Sequence, residues 1–166
     1  MNIAIHTATG ENARDFAHVH CASWKAAYKD IIPPEELAKF TDPVRCTAMF
    51  EKILGAGTGR NLIAYDGDCP CGVCSFGASR DKDLQDAGEV VAIYTLEEYW
   101  GKGLGKVLMD AGVEALRAEG FQSILLWVLE ENHRARHFYE KYGFVFDGTY
   151  KDSGLGNTQE VRYRLT

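Results

Sequence analysis

The sequence has no surplus of positive charge: 18 lysines and arginines stand against 24 aspartates and glutamates, for a formal charge of −6. That argues against nucleic-acid binding through bulk electrostatics, because neutralising phosphates takes a basic surface. No apolar run approaches the roughly 18 residues of a membrane helix, so no membrane span is expected. The opening Met1-Asn2-Ile3-Ala4-Ile5-His6 lacks the basic-then-apolar plan of a signal peptide. There is no internal repeat, no low-complexity tract and no Gly/Ser/Pro-rich linker, so one domain over residues 1–166 is expected. Cysteines are few and odd in number, five in all, which with no export signal points to reduced thiols in the cytoplasm.

What is present is ordinary globular material, 46% hydrophobic and 25% charged, in a chain long enough to bury its own core. Ile3 to Thr7 reads as a first strand. Thr9 can cap a helix from about Gly10, with Phe16, His20, Trp24 and Tyr28 recurring on one face. Pro33 and Pro34 end it and open a shorter helix, and a further helix is expected from Pro43 to Leu54. The period then changes. Asn61 to Tyr65 and Cys71 to Phe76 read as a hairpin around Asp66-Gly67, followed by a strand from Gly88 to Leu96. Leu104, Val107, Leu108, Ala111, Ala115 and Ala118 mark one face of a helix that ends at Gly120. Ser123 to Leu129 is apolar almost throughout, as a strand covered on both faces would be. Asn132 to Tyr142 is a helix closed by Gly143, and Phe144 to Tyr150 and Val161 to Leu165 alternate like two last strands. The expected fold is α/β (α+β): one mixed, mostly antiparallel sheet with helices on both faces. The crossover through residues 104–120 should set strands 88–96 and 123–129 side by side and parallel.

The chemistry converges on the turn Tyr94-Thr95-Leu96-Glu97-Glu98-Tyr99-Trp100-Gly101-Lys102-Gly103-Leu104-Gly105-Lys106. A strand ends, glycines follow, and a helix begins. Its unpaired N–H groups and positive dipole end suit a phosphate, and Lys102 and Lys106 add charge. A plain tight turn with solvated lysines would look the same. Two nucleotide motifs fail here. Counting G-x-G-x-x-G from Gly101 puts Lys106 at the third glycine, and from Gly103 it puts Leu108 there. The P-loop pattern wants Ser or Thr after Gly105-Lys106, where Val107 stands.

The segment Trp100-Gly101-Lys102-Gly103-Leu104-Gly105 resembles the Arg/Gln-x-x-Gly-x-Gly/Ala turn of the GNAT superfamily of acetyl-CoA-dependent N-acetyltransferases, with Trp100 in place of the usual Arg or Gln. Downstream, Asn132-His133-Arg134-Ala135-Arg136-His137-Phe138-Tyr139-Glu140-Lys141-Tyr142-Gly143-Phe144 is similar to that family's Asn-x-x-Ala-x-x-Phe-Tyr-x-x-x-Gly-Phe segment. The likeness is closest over residues 72–147 and looser through Ser23 to Tyr28 and Ile31 to Pro33. It implies a central parallel strand pair that splays to admit acetyl-CoA, the acetyl donor. The pantothenyl arm would meet backbone at Ile93, Tyr94 and Thr95, and the diphosphate would meet Gly101, Lys102, Gly103, Gly105 and Lys106. Asn132 would bond the arm, and Arg134 would meet the 3′-phosphate of the cofactor's adenosine. Tyr139 would stand beside the thioester sulfur as general acid. Its other reading is a core aromatic.

The resemblance further implies a small-molecule or peptide amine as acceptor, with a homodimer allowed. Glu89 is the candidate base, the alternative being an exposed residue at a strand start; Asp81 and Glu98 stand in reserve. Trp24, Tyr28, Phe76, Ser79 and Arg80 are the candidate acceptor contacts, with core packing the other reading of Trp24 and Tyr28. Competing signals are weaker. Cys69, Cys71 and Cys74 lack a second knuckle, and Cys71 and Cys74 are expected to face opposite ways along a strand. His133 and His137 sit four apart on a helix, but Arg134 and Arg136 flank them and the H-E-x-x-H glutamate is missing, so no metal is expected. There is no G-x-S-x-G nucleophile elbow. A non-catalytic acyl-CoA-binding sensor module is the rival reading; Tyr139 and Asn132 favour the enzyme.

Overall fold

Thr9 and Asn12 start the first helical segment: the Thr9 backbone N–H donates to Asn12 Oδ1 at 2.9 Å. In the computed structural model, which describes residues 1–166, strand β1 (Ile3–Thr7) leads through this 3₁₀ turn into α1 (Ala13–Tyr28). Pro34 opens α2 (Pro34–Phe40). The Asp42 carboxylate accepts the Arg45 N–H at 2.8 Å and caps α3 (Pro43–Gly55), which has Pro43 in its first turn. Strands β2 (Asn61–Asp66), β3 (Cys69–Ala78) and β4 (Gly88–Thr95) form a meander. Then follow α4 (Leu104–Ala118), β5 (Ile124–Leu129), α5 (His133–Tyr142), β6 (Val145–Asp152) and β7 (Gln159–Leu165).

The seven strands form one sheet in the order β1-β2-β3-β4-β5-β7-β6. Every pairing is antiparallel except β4 with β5, which run parallel as the crossover required. That pair is short: only Gly88 faces Ile124 and Glu89 faces Leu125. Beyond it β4 stays with β3 as far as Thr95, and β5 stays with β7 as far as Leu129. The register of β3 and β4 slips next to Phe76, leaving Val91 as an extra residue on β4. A bulge of this kind bends its strand, here away from β5. The sheet opens.

Helices cover both faces. Leu104, Leu108, Met109 and Leu116 of α4 pack on Ala64, Cys74, Phe76, Ile124 and Leu126, joined by Tyr139, Phe144 and Tyr163. On the opposite face Phe16, Ala17, Val19, Phe50 and Leu54 from α1 and α3 pack on Ile63 and Val73. Each fully buried leucine or phenylalanine contributes roughly 1.5–3 kcal/mol through removal from water.

Two details differ from the spacing argument. The buried stripe of α4 is Leu104, Leu108, Met109, Gly112 and Leu116, whereas Val107 is 47% exposed and Ala118 is exposed. The large side chains fix which face turns inward, and the alanines follow. Cys71 and Cys74 share one core rather than facing opposite ways. Ala64 pairs with Gly72 and Tyr65 with Pro70, so Cys71 is a bulge residue and the two-residue alternation slips past it.

Candidate active site

The opening between β4 and β5 is lined on one side by a cavity of about 790 Å³, within the roughly 300–1,000 Å³ of small-molecule sites. Its walls include Ile93, Tyr94, Thr95, Gly101, Gly103, Gly105, Lys106, Arg134 and Tyr139, all expected from the sequence, together with Ser23, His137, Phe138 and Tyr142. A second cavity of about 120 Å³ shares Ala27, Ile93, Tyr94, Arg134, Ala135 and Tyr139 with the first. The two therefore adjoin at the splayed strands. Tyr139 stands at the junction.

The strand-to-helix turn has unsatisfied donors. Gly101 and Gly103 have φ of +73° and +90°, a left-handed backbone that side chains with a Cβ rarely adopt. It aims the chain so that the N–H groups of Gly101, Gly103, Leu104, Gly105 and Lys106 find no acceptor in the protein. Trp100 braces this turn by donating Nε1–H to the Thr95 carbonyl at 3.1 Å. The Arg134 guanidinium lies 3.5 Å from the centre of the Trp100 ring and makes no ion pair or hydrogen bond with the protein. Lys106 is paired with Asp110 at 2.7 Å, and the Tyr142 hydroxyl donates to the same carboxylate at 2.9 Å. Lys102 is exposed and lines neither cavity. An open row of amides beside an unpaired guanidinium is a site for an anion.

The sequence model described as the acetyltransferase (GNAT) family matches residues 24–144. The chain belongs to the GNAT acetyltransferase family. Among curated relatives it is 30% identical over 145 residues to the uncharacterized N-acetyltransferase YuaI of Bacillus subtilis, covering 84% of this chain and 79% of that one. It is also 30% identical over 168 residues to the probable N-acetyltransferase Rv2775 of Mycobacterium tuberculosis, covering 99% and 94%. Among solved structures, a PaiA N-acetyltransferase from Thermoplasma acidophilum, in complex with coenzyme A, superposes with a TM-score of 0.81 at 21% identity, covering 99% of this chain and 100% of that one. YncA of Salmonella typhimurium, solved with acetyl-CoA, gives 0.73 at 17%, covering 100% and 94%.

Placed in this GNAT fold, the other expected residues divide. Asn132 lines the smaller cavity and caps α5, its Oδ1 accepting the Ala135 N–H at 3.2 Å. Trp24 and Tyr28 also line the smaller cavity. Phe76 does not reach either cavity, because β3 turns it into the core beneath α4. Ser79 is taken up locally, its Oγ accepting the Asp81 N–H at 3.1 Å. Arg80 and Glu89 are brought to each other instead. Glu89 is 1% exposed, and its carboxylate accepts from Arg80 Nη2 at 2.6 Å, Nε at 3.1 Å and the backbone N–H at 3.0 Å. Glu89 is thus not the exposed residue weighed from the sequence but a buried carboxylate with three hydrogen bonds from Arg80. Asp81 is similarly engaged, by Trp127 Nε1 and by Arg162, which also holds Asp83 and Asp147. Glu98 is exposed.

Sequence reasoning missed Ser23, Trp127 and Glu160. The Ser23 hydroxyl is buried without a partner beside the larger cavity, and Trp127 and Glu160 line the smaller one. No group of three His, Cys, Asp or Glu side chains is placed to hold a metal. Burial pushes the Cys71 thiol up to about 11 and the Cys74 thiol up to about 12, so both stay protonated.

His20 packs against Trp24, Phe50 and Tyr94 with ring centres 4.9, 5.3 and 5.7 Å away. Burial lowers its pKa from 6.5 to about 4, with the Phe40 carbonyl opposing. Between those values the unfolded chain binds a proton here that the folded chain refuses, so stability rises with pH through that window and levels off above it. Denaturant unfolding at about pH 7 and about pH 4.5 should differ by roughly 2–3 kcal/mol on account of this ring. His20→Phe should remove that part of the difference. An equally steep pH dependence in the variant would place its origin elsewhere.

Proposed function

We propose that this GNAT acetyltransferase moves an acetyl group from acetyl-CoA to the primary amine of a small molecule or peptide, by direct attack on the thioester. The observation that carries this is the set of partnerless amides at Gly101, Gly103, Leu104, Gly105 and Lys106, beside unpaired Arg134, at a cavity whose far wall, Tyr139, it shares with the smaller one. Those donors fit a diphosphate, and the apolar walls beyond them fit a thin pantothenyl arm. Ile93, Tyr94 and Thr95, on the strand edge freed from β5, would hold the arm through backbone, and Asn132 stands beside it. Acetyl-CoA, when bound, supplies an activated acyl carbon and a thiolate leaving group.

The chain's residues do the rest. The adjoining cavities align amine and thioester and keep water from the acyl carbon. Burial holds the Tyr139 phenol well above its ordinary pKa, with Arg134 opposing, so at neutral pH it carries a proton to donate to the departing sulfur. Glu89, held by three hydrogen bonds from Arg80 and absent from both cavities, is left out of the proton path. The five cysteines are all unpaired, which suits the reducing cytoplasm.

Two measurements test this. A ligand that binds only the folded state at ~100 times its Kd adds about 2.7 kcal/mol, so acetyl-CoA should raise Tm by several degrees. Coenzyme A release, followed with a thiol reagent against a panel of amines and corrected for the protein's own thiols, should continue over many turnovers. A Tm shift without turnover on any amine would leave an acyl-CoA-binding sensor; no shift at all would overturn the site.

A further inference from the structure

We infer that the smaller cavity is an aromatic box for the ammonium head of an unbranched primary amine, and that Glu160 is its counter-ion and takes its proton. This rests on the acetyl-transfer reading above and adds the acceptor's class and the proton's destination. The cavity is bounded by Trp24, Tyr28, Tyr94 and Trp127. At about 120 Å³ it has the volume of roughly four water molecules, enough for an amine and two or three carbons. Aromatic faces attract cations, more strongly once water is excluded. Only two charged side chains line it: Arg134 on the side shared with the larger cavity, and Glu160 on β7. Trp24 Nε1 is buried beside it with no acceptor.

Glu160 differs from Glu89 in what holds it. Glu89 has three hydrogen bonds from Arg80. Glu160 has none, only Lys151 Nζ at 3.5 Å across the β6–β7 pair, and its side chain is 26% exposed. Its lone pairs are open to a ligand. Burial raises its pKa, with Lys151 and Arg80 opposing and Glu89 reinforcing the rise. The remaining titratable groups of the cavity are Arg134 and the hydroxyls of Tyr28, Tyr94 and Tyr139; burial raises the pKa of each tyrosine, so all three stay neutral. The same corner already holds one ammonium: Lys151 Nζ lies 3.9 Å from the Trp127 ring centre. Indole and carboxylate together are the recognition chemistry proposed for the acceptor.

The proton count closes. An ammonium gives its first proton to a Glu160 oxygen, from which solvent removes it, and the free amine then attacks the acyl carbon. As the C–N bond forms and the C–S bond breaks, nitrogen loses a second proton to Glu160, which solvent has by then deprotonated and from which solvent again removes it. Tyr139 delivers one to sulfur and is restored through solvent.

The test uses n-propylamine, and β-alanine as a partner of similar length that carries a carboxylate. With coenzyme A present, propylammonium should quench tryptophan fluorescence saturably in the wild type, and Glu160→Gln should weaken that binding at least tenfold. In turnover at pH 7, kcat/KM should favour propylamine over β-alanine by about tenfold or more. Glu160→Gln should lower propylamine kcat/KM about 10²-fold at pH 7, with the deficit closing toward pH 10 as free amine becomes abundant. Glu160→Asp should keep the wild-type pH profile at reduced rate. A retained acetyl-CoA melting shift in each variant reports an intact fold. Binding and turnover of propylamine that ignore Glu160→Gln, or a preference for β-alanine, would overturn the box and leave the acetyltransferase standing. Glu160-dependent binding of propylammonium with no turnover of any amine would do the reverse.

Discussion

Tyr139→Phe is expected to lower kcat about 10²-fold or more while leaving the KM for acetyl-CoA and the acetyl-CoA melting shift nearly unchanged. The ring is 8% exposed and packs against Phe138, Phe144 and Tyr163 at centre distances of 5.4, 6.2 and 6.5 Å, contacts that phenylalanine keeps. The hydroxyl makes no hydrogen bond within the protein, so its loss should cost less than about 1 kcal/mol of stability. It nevertheless lines both cavities, where thioester and amine would meet. A proton donor that acts only as charge builds on sulfur affects the transition state and not ground-state binding, which is why kcat should fall alone. An acyl donor with a more acidic thiol needs less help and should recover part of the rate. Normal turnover in the variant, indifferent to the thiol, would return Tyr139 to the core aromatics.

The parts of this site that could be read from the sequence are those encoded within a few neighbouring residues. The glycine turn before α4 depends on local backbone conformation, and Gly101 and Gly103 announce it wherever the rest of the chain goes. Asn132 capping α5 and Gly143 closing it are equally local. The unbroken apolar run at β5 showed that both faces are covered, and its crossover geometry put it beside β4. What could not be read depends on which distant segments meet. Glu89 looks like any acid at a strand start until β3 delivers Arg80 across from it. Glu160 carries no motif. It becomes part of a cavity only because β7 lies between β5 and β6 and sets Glu160 opposite Leu129, at the end where β4 has left the sheet. The parity argument for Cys71 and Cys74 failed for a related reason: a bulge is a property of two strands together, and neither sequence alone displays it. Trp100 lies between these cases. Its departure from the family pattern is visible in the sequence, but the stacking that brings Arg134 over the turn is not.

Gly103→Val should abolish most of the acetyl-CoA melting shift and raise Kd by about 10²-fold. Two effects would act together. Gly103 is the N-cap of α4 at φ +90°, where an L side chain costs roughly 1–2 kcal/mol and a β-branched one more. A Cβ there meets nothing within 4 Å, so the protein itself has room for it, and the branched group would stand over the partnerless amides. Strain and ligand exclusion are separable. Gly57 also has a left-handed backbone, φ +65°, and equal room for a Cβ, but it lies at the end of α3 away from both cavities. Gly57→Val should therefore cost comparable stability and leave the acetyl-CoA shift whole. Gly103→Ala, with less bulk over the amides, should fall between wild type and Gly103→Val. If both valine variants lower Tm but each retains the full acetyl-CoA shift, the turn at Gly103 serves only to start α4, and the phosphates bind elsewhere.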